Sequence, residues 1–154
     1  MTVAVIQMVS GEHIAQNLSC ARLLLEQAAA EGARLAVLPE NFAAMGGINP
    51  AHIASLEAQQ CGPILPWLAQ AARELGLWIV GGTVPLLAAG QLAGKPCASS
   101  LLFDPHGECV ARYDKLHLFD AAVADQQDRY NESERYRAGQ TCTVVDTPVG
   151  RLGM

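Results

Sequence analysis

The sequence predicts an α/β protein whose first three elements form a strand–helix–strand unit. Residues 2–8 are a short β-branched run typical of a buried strand, and apolar residues recur at helical spacing over 18–31. Asn17 is placed to cap that helix and Gly32 to end it. Residues 34–38 then predict a second buried strand. A helix between two buried strands is typical of a βαβ crossover, so we expect the strands to be parallel.

The middle of the chain continues this alternation. A short helix is expected over 50–59. A longer one is expected over 64–75, where Pro63 fits the first turn and Gly76 the stop. The apolar run 77–85 predicts a third strand. Helices and buried strands that alternate in this way are typical of the α/β class.

The second half begins with a loop and a hairpin. Residues 86–95 are rich in glycine and alanine, which predicts an exposed loop. The hairpin arms are 97–103 and 108–113, and the Asp-Pro-His-Gly sequence at 104–107 is the signature of a type I turn. Residues 120–140 are polar and acidic, so we expect a long loop with no more than one helical turn.

The chain ends in a strand region. A strand is predicted over 141–146, a turn over 148–150, and the beginning of another apolar strand over 151–154. The sequence contains no internal repeat and no linker. We therefore expect residues 1–154 to belong to a single domain.

Composition excludes several classes of protein. Apolar residues make up 51% of the chain and charged residues 16%, which excludes a disordered chain. A net charge of −5 without a basic run argues against nucleic acid or membrane partners. No segment has the pattern of a signal peptide or a membrane span, so we expect a cytoplasmic protein. The cysteines lack CxxC spacing, so we expect reduced thiols and no zinc site.

Glu40 is the first candidate for chemistry. It follows Leu38 and Pro39 at the carboxyl end of a predicted buried strand, where open α/β sheets bind ligands. A carboxylate near a low-dielectric core can act as a general base near neutral pH. Position alone leaves a second interpretation open, in which Glu40 is a strand-end residue exposed to water.

Lys115 is the second candidate, within the Tyr-Asp-Lys-Leu-His-Leu-Phe-Asp sequence at 113–120. If the hairpin strand continues, Lys115, His117 and Phe119 share one face. A lysine that points inward is costly unless it is paired, and Glu40 would be a suitable partner. The alternative is a lysine that extends its ammonium group to solvent.

These segments together resemble the nitrilase, or carbon–nitrogen hydrolase, superfamily. The likeness is nearest to its Nit-type amidases, the deaminated glutathione amidases and omega-amidases. It covers essentially the whole chain. The segments that carry it are the first strand, Leu-Pro-Glu at 38–40, the hairpin and 113–120, Glu-Ser at 132–133 with Ala-Gly at 138–139, and 145–153.

The resemblance implies a Glu–Lys–Cys mechanism without a metal or an organic cofactor. Glu40 would be the general base, Lys115 would stabilise the oxyanion, and Glu132 would orient Lys115 or the substrate amide. In the family, the strand opened by Gly-Arg-Leu-Gly at 150–153 leads to the nucleophilic cysteine. We therefore expect that cysteine beyond Met154, because none of the five cysteines present lies where the family has its nucleophile. Residues 1–154 alone are expected to be inactive.

The resemblance also implies a four-layer α-β-β-α sandwich, of which this chain would supply roughly the N-terminal half. Without the other half an apolar sheet face would be left in water, so we expect that half to be needed as its cover. Members of the family commonly assemble as dimers or larger oligomers, so the resemblance predicts a homo-oligomer.

The implied function is hydrolysis of a linear amide in a small molecule. Deaminated glutathione is the first choice of substrate, with α-ketoglutaramate as the alternative. A non-catalytic binding or assembly module is a third interpretation, although it gives no physical reason to keep all three candidate residues. Arg129, Arg135 or Arg137 could meet a substrate carboxylate, against a plain surface role for each.

Overall fold

The computed structural model describes residues 2–122 and 129–154 as a mixed α/β structure. One six-stranded sheet forms its centre, and two strand pairs stand outside that sheet. The elements in chain order are β1 (Thr2–Val5), α1 (Ile14–Ala30), β2 (Ala33–Val37), α2 (Pro50–Ala58), α3 (Ile64–Leu75), β3 (Trp78–Val80), β4 (Val84–Leu86), β5 (Cys97–Phe103), β6 (Cys109–Asp114), β7 (Asp120–Ala122), β8 (Arg129–Asn131), α4 (Glu132–Arg135), β9 (Val144–Thr147) and β10 (Gly150–Gly153).

The predicted βαβ crossover is confirmed, because α1 connects β1 to β2 and the two strands are parallel. Gly32 follows the helix with φ +80°, as expected of a glycine stop. The predicted cap is wrong. The helix begins earlier, at Ile14, and Asn17 lies buried within its first turns. The Asn17 amide instead bonds the backbone of Gly11 and donates to the Ala43 carbonyl, which ties two loops to the helix.

The α3 helix occupies the predicted residues, with Pro63 before it and Gly76 after it at φ +63°. Its N-terminus has a partner that the sequence did not suggest. The buried Glu57 carboxylate accepts hydrogen bonds from Ile64 N at 2.8 Å and Leu65 N at 3.2 Å. A side chain from the end of α2 therefore satisfies two free backbone donors of α3.

The predicted third strand, 77–85, is divided in the structure into β3 and β4. β3 is parallel to β2, whereas β4 is antiparallel to β5. Gly81 and Gly82 separate them, and Gly82 has φ +53°. A side chain at Gly82 would collide with the Pro39 carbonyl oxygen. The break therefore allows the chain to pass close to the end of β2.

β5 pairs with three other strands of the sheet. β3 and β4 pair in succession along one of its edges, and β6 pairs along the other, all antiparallel. The predicted hairpin of β5 and β6 is confirmed, including its turn, in which Gly107 N donates to Asp104 O at 2.9 Å. The exposed loop predicted for 86–95 is confirmed only from Ala89 onward, because Leu86 and Leu87 are buried.

Two strand pairs lie outside the main sheet. β7 and β8 pair within the segment 120–140, where the sequence predicted a loop, and the expected helical turn is α4. β9 and β10 form a hairpin near the end of the chain, so the two predicted strands are present with shifted limits. Residues 123–128 of the predicted acidic loop lie outside the described residues.

The core lies between the sheet and the pair of helices α1 and α3, with Leu25, Leu68 and Ile79 buried in it. In β1, Ala4 packs against this core, so Val3 and Val5 point to the opposite face. There they are 45% and 81% exposed. Apolar side chains are thus uncovered at this edge of the sheet. Within the described ranges no helix is long and apolar enough to cross a membrane.

Candidate active site

Glu40 lies just beyond the carboxyl end of β2, as the sequence predicted. The preceding Leu38 is still joined to the sheet, since its N–H donates to Val80 O at 2.9 Å. The chain then turns sharply at Asn41, which has a left-handed φ of +54°. Asn41 N donates to Thr83 Oγ1 at 2.9 Å, which fixes that turn. A left-handed backbone is strained at a residue other than glycine, and the surrounding structure must hold it in place. Strain of this kind is common at functional sites.

Lys115 follows β6 directly, but the predicted continuation of the strand is wrong. β6 ends at Asp114 and the chain bends after Lys115, so Lys115, His117 and Phe119 do not share a strand face. The backbone of Lys115 is fixed on both sides. Its N–H donates to Ala98 O at 2.9 Å, and its carbonyl accepts from Gly139 N at 2.9 Å.

Glu132 is the first residue of α4, and it is linked to the segment that follows Lys115. Glu132 N donates to Phe119 O at 3.2 Å, and Phe119 N donates to Glu132 Oε2 at 2.7 Å. Asp120 adds a cap to the same turn, because its Oδ1 accepts from Ser133 N at 2.9 Å. The Glu132 side chain therefore has a fixed position although α4 is a single turn.

The structure brings these three residues into one cluster. Lys115 Nζ lies 2.9 Å from Glu40 Oε1 and 2.9 Å from Glu132 Oε2. The ion pair that the sequence suggested between Lys115 and Glu40 is thus present. The side chains of Glu40, Lys115 and Glu132 are 51%, 24% and 16% exposed, respectively. Glu40 is thus the most solvent-exposed member of the cluster, and Glu132 is the most buried.

The two carboxylates control the charge of the lysine. Burial by itself would lower the pKa of Lys115, but the hydrogen bonds that it donates to Glu132 and Glu40, together with their charges, outweigh burial and raise that pKa. The ammonium group therefore stays protonated throughout the neutral range. A permanent cation that is fixed by two anions is suited to stabilise negative charge that develops on a bound molecule.

The cluster lines a cavity of about 660 Å³, which is large enough for a small molecule. Its apolar wall comes from loop and helix residues that include Met45, Ile48 and Ile53. Phe119 and Tyr136 line it as well, and burial raises the pKa of the Tyr136 hydroxyl. Sequence reasoning missed Met45, Ile48, Ile53 and Tyr136, because they come from separate segments and follow no common pattern.

The three arginines considered from the sequence are placed differently. Arg135 lines the cavity. Arg137 is absent from the described lining, and its Nη2 lies 4.0 Å from Cys97 Sγ. The side chain of Arg129 lies outside the described residues. No cysteine occurs among the described residues that line the cavity, so none of the five thiols is placed to attack a bound amide.

Comparison with known proteins establishes the family. Residues 2–154 match the model described as carbon–nitrogen hydrolase, and the chain belongs to this family. It is 39% identical over 152 residues to a deaminated glutathione amidase of Yersinia enterocolitica, covering 99% of this chain and 52% of that protein. It is 32% identical over 142 residues to the chloroplastic omega-amidase of Arabidopsis thaliana, covering 90% of this chain and 37% of that protein.

A solved structure supports the same assignment. The crystal structure of the C. elegans NitFhit protein aligns with a TM-score of 0.82 and 31% identity, covering 99% of this chain and 36% of that one. The predicted resemblance and the nitrilase-type α/β fold are therefore confirmed. The chain spans about half the length, or less, of each of these three relatives.

Proposed function

We propose that this chain is the N-terminal part of an amidase domain that hydrolyses a linear carbon–nitrogen bond in a small molecule. The observation that carries the proposal is the cluster of Glu40, Lys115 and Glu132 on the wall of one cavity. Membership in the carbon–nitrogen hydrolase family supports it. The described residues that line the cavity supply a base and a cation but no cysteine, and we propose that the nucleophilic cysteine lies beyond Met154.

The proposed reaction has two halves. A thiol with its reference pKa of about 8.5 is mostly protonated at neutral pH, so a base must accept its proton. Glu40 takes that proton, and the thiolate attacks the amide carbon. Lys115 stabilises the resulting oxyanion. Glu40 then protonates the departing amine to leave a thioester, and finally removes a proton from the water that hydrolyses it. No step needs a metal or an organic cofactor.

The hydrogen bonds support different roles for the two carboxylates. Both oxygens of Glu132 contact Lys115, and one of them also accepts from Phe119 N, so this carboxylate is suited to orient the lysine. Glu40 contacts Lys115 through Oε1 and is half exposed to the cavity. The other oxygen of Glu40 has no hydrogen bond to a described residue, so it can exchange protons with a thiol, an amine or water.

Substitution of Glu40 tests the proposal. In the complete protein, Glu40→Gln keeps the shape of the side chain but cannot accept a proton. We expect it to lower kcat/KM for an amide substrate by about 10²- to 10⁴-fold. Glu26→Gln, on the exposed side of α1, is the matched control and should keep normal activity. Unchanged hydrolysis by Glu40→Gln would contradict the role of Glu40, and a complete protein that hydrolyses no amide would favour a non-catalytic module.

The proposed substrate is deaminated glutathione, and the alternative is α-ketoglutaramate. The amidase of Yersinia enterocolitica supports the first by its name and its identity to this chain, and the omega-amidase of Arabidopsis thaliana supports the second. Measurement of kcat/KM for both compounds with the complete protein decides between them. A clear preference for α-ketoglutaramate would contradict the first choice. We further propose that the protein is cytoplasmic and acts as a homo-oligomer.

A further inference from the structure

A second cation lines the active-site cavity, and it has no part in the cluster of Glu40, Lys115 and Glu132. It belongs to Arg135, at the end of α4. Arg135 follows Glu132 by three residues, and side chains at this spacing lie on the same side of a helix, with Cβ atoms about 5–6 Å apart. The single turn of α4 therefore presents an anionic orienting residue and a guanidinium group to the same cavity.

The charge of Arg135 is not matched by a carboxylate. Its Nη2 donates to Ile48 O at 3.0 Å, and no carboxylate oxygen of the described residues lies within the 4.0 Å of an ion pair. Arg22, Arg112 and Arg151 each have such a partner. A guanidinium group has five N–H donors, so Arg135 retains donors that can bind an anion.

The other charged groups that line the described part of the cavity already have partners. Glu40 and Glu132 share Lys115. Glu134 Oε1 accepts from Asn131 Nδ2 at 2.6 Å. Arg135 is therefore the charged group of this lining with the most unused binding capacity. Its natural complement is a planar anion, since a guanidinium group binds a carboxylate through two parallel hydrogen bonds.

We propose that Arg135 binds a carboxylate of the substrate and so makes the enzyme selective for amides that carry one. The inference rests on the proposed amidase function and adds a specificity-determining residue to it. Arg135 and Glu132 are one helical turn apart and line the same cavity as Lys115, so one small molecule can contact both cations.

A structural role for Arg135 predicts a different result. Its bond to Ile48 O joins α4 to a loop residue that also lines the cavity. If that bond were its whole function, a substitution would disturb the cavity for charged and neutral amides alike. Carboxylate binding requires that only the charged amide be affected.

The test compares glutaramate with pentanamide, a neutral amide of the same chain length in which a methyl group replaces the carboxylate. In the complete protein, we expect Arg135→Gln to raise KM for glutaramate by about 10- to 100-fold, as the loss of a charged hydrogen bond requires. KM for pentanamide should stay within about twofold, and Arg137→Gln should change neither value. Equal effects on both amides, or no effect on glutaramate, would overturn the proposal.

A binding measurement separates this inference from the proposed function. Glutarate is titrated calorimetrically into the complete protein and its Arg135→Gln and Arg137→Gln variants. Glutarate binding that only Arg135→Gln loses supports the inference, even if the protein hydrolyses neither amide and the amidase proposal fails. Binding that Arg135→Gln retains, or no binding by the unaltered protein, overturns the inference while hydrolysis of pentanamide would still support an amidase.

Discussion

Among single residues, Lys115 contributes most to the organisation of the site. It joins Glu40, 75 positions earlier in the chain, to Glu132, 17 positions later. The sequence indicated the first of these contacts, because an inward lysine next to a strand needs a carboxylate. The second depended on family resemblance, since neither α4 nor its bond to Phe119 follows from local pattern. From the sequence, Arg135 was no stronger a candidate for binding a carboxylate than the neighbouring arginines. The structure distinguishes it, because Arg135 lines the cavity.

The charge of Lys115 predicts a pH dependence of stability. Its pKa is raised in the folded protein, so its pairing stabilises the fold from neutral pH up to the unfolded pKa, and this stabilisation is lost as pH rises through the folded pKa. We expect Lys115→Met to lower the free energy of unfolding by about 1–3 kcal/mol near neutral pH, because two carboxylates lose their cation. The difference in the free energy of unfolding between Lys115→Met and the unaltered protein should narrow above about pH 10. Denaturant unfolding across this range measures it.

Lys95→Met is the matched control for that measurement. Lys95 is exposed and donates to the Ser133 carbonyl rather than to a carboxylate. Its substitution should change stability by less than about 0.5 kcal/mol, with little dependence on pH. A difference between Lys115→Met and the unaltered protein that widens above about pH 10 would contradict the assigned charge state.

At the scale of elements, the sequence predicted best where the signal is local. The limits of α3 follow from a proline before the helix and a glycine after it, and the β5–β6 hairpin follows from its turn. Asn17 and the third strand were misjudged for a common reason. The partners of Asn17 are loop carbonyls, and the break between β3 and β4 accommodates the Pro39 carbonyl at Gly82. Such contacts exist only after distant segments have been brought together.

The N-terminus of α3 gives a prediction at this scale. Burial raises the pKa of Glu57, and the two hydrogen bonds from Ile64 and Leu65 oppose that effect. Glu57→Ala would leave both backbone donors without their acceptor, so we expect the free energy of unfolding to fall by about 1–2 kcal/mol. Urea denaturation of the complete protein measures this, with Glu108→Ala, an exposed glutamate, as the control. Equal stability of the two variants would contradict the capping role of Glu57.

At the scale of the whole molecule, the two faces of the sheet are covered to different extents. The helices α1 and α3 bury one face of the sheet, whereas Val3 and Val5 are exposed on the other. The sequence predicted that apolar strands need cover on both faces. Only the family resemblance indicated the other half of the domain as that cover, because the burial of a strand is visible in its own residues but the identity of its partner is not.

The exposed valines at this edge of the sheet predict the behaviour of residues 1–154 produced alone. Soluble monomers seldom expose large contiguous apolar patches, so we expect this polypeptide to self-associate and to bind a hydrophobic dye such as anilinonaphthalene sulfonate. We also expect it to hydrolyse no amide, because its cavity lacks a nucleophile among the described lining residues. Sedimentation velocity at several concentrations measures the association, with the complete protein as the control. A monomer of about 16.3 kDa that melts cooperatively and binds no dye would show that the exposed valines need no partner.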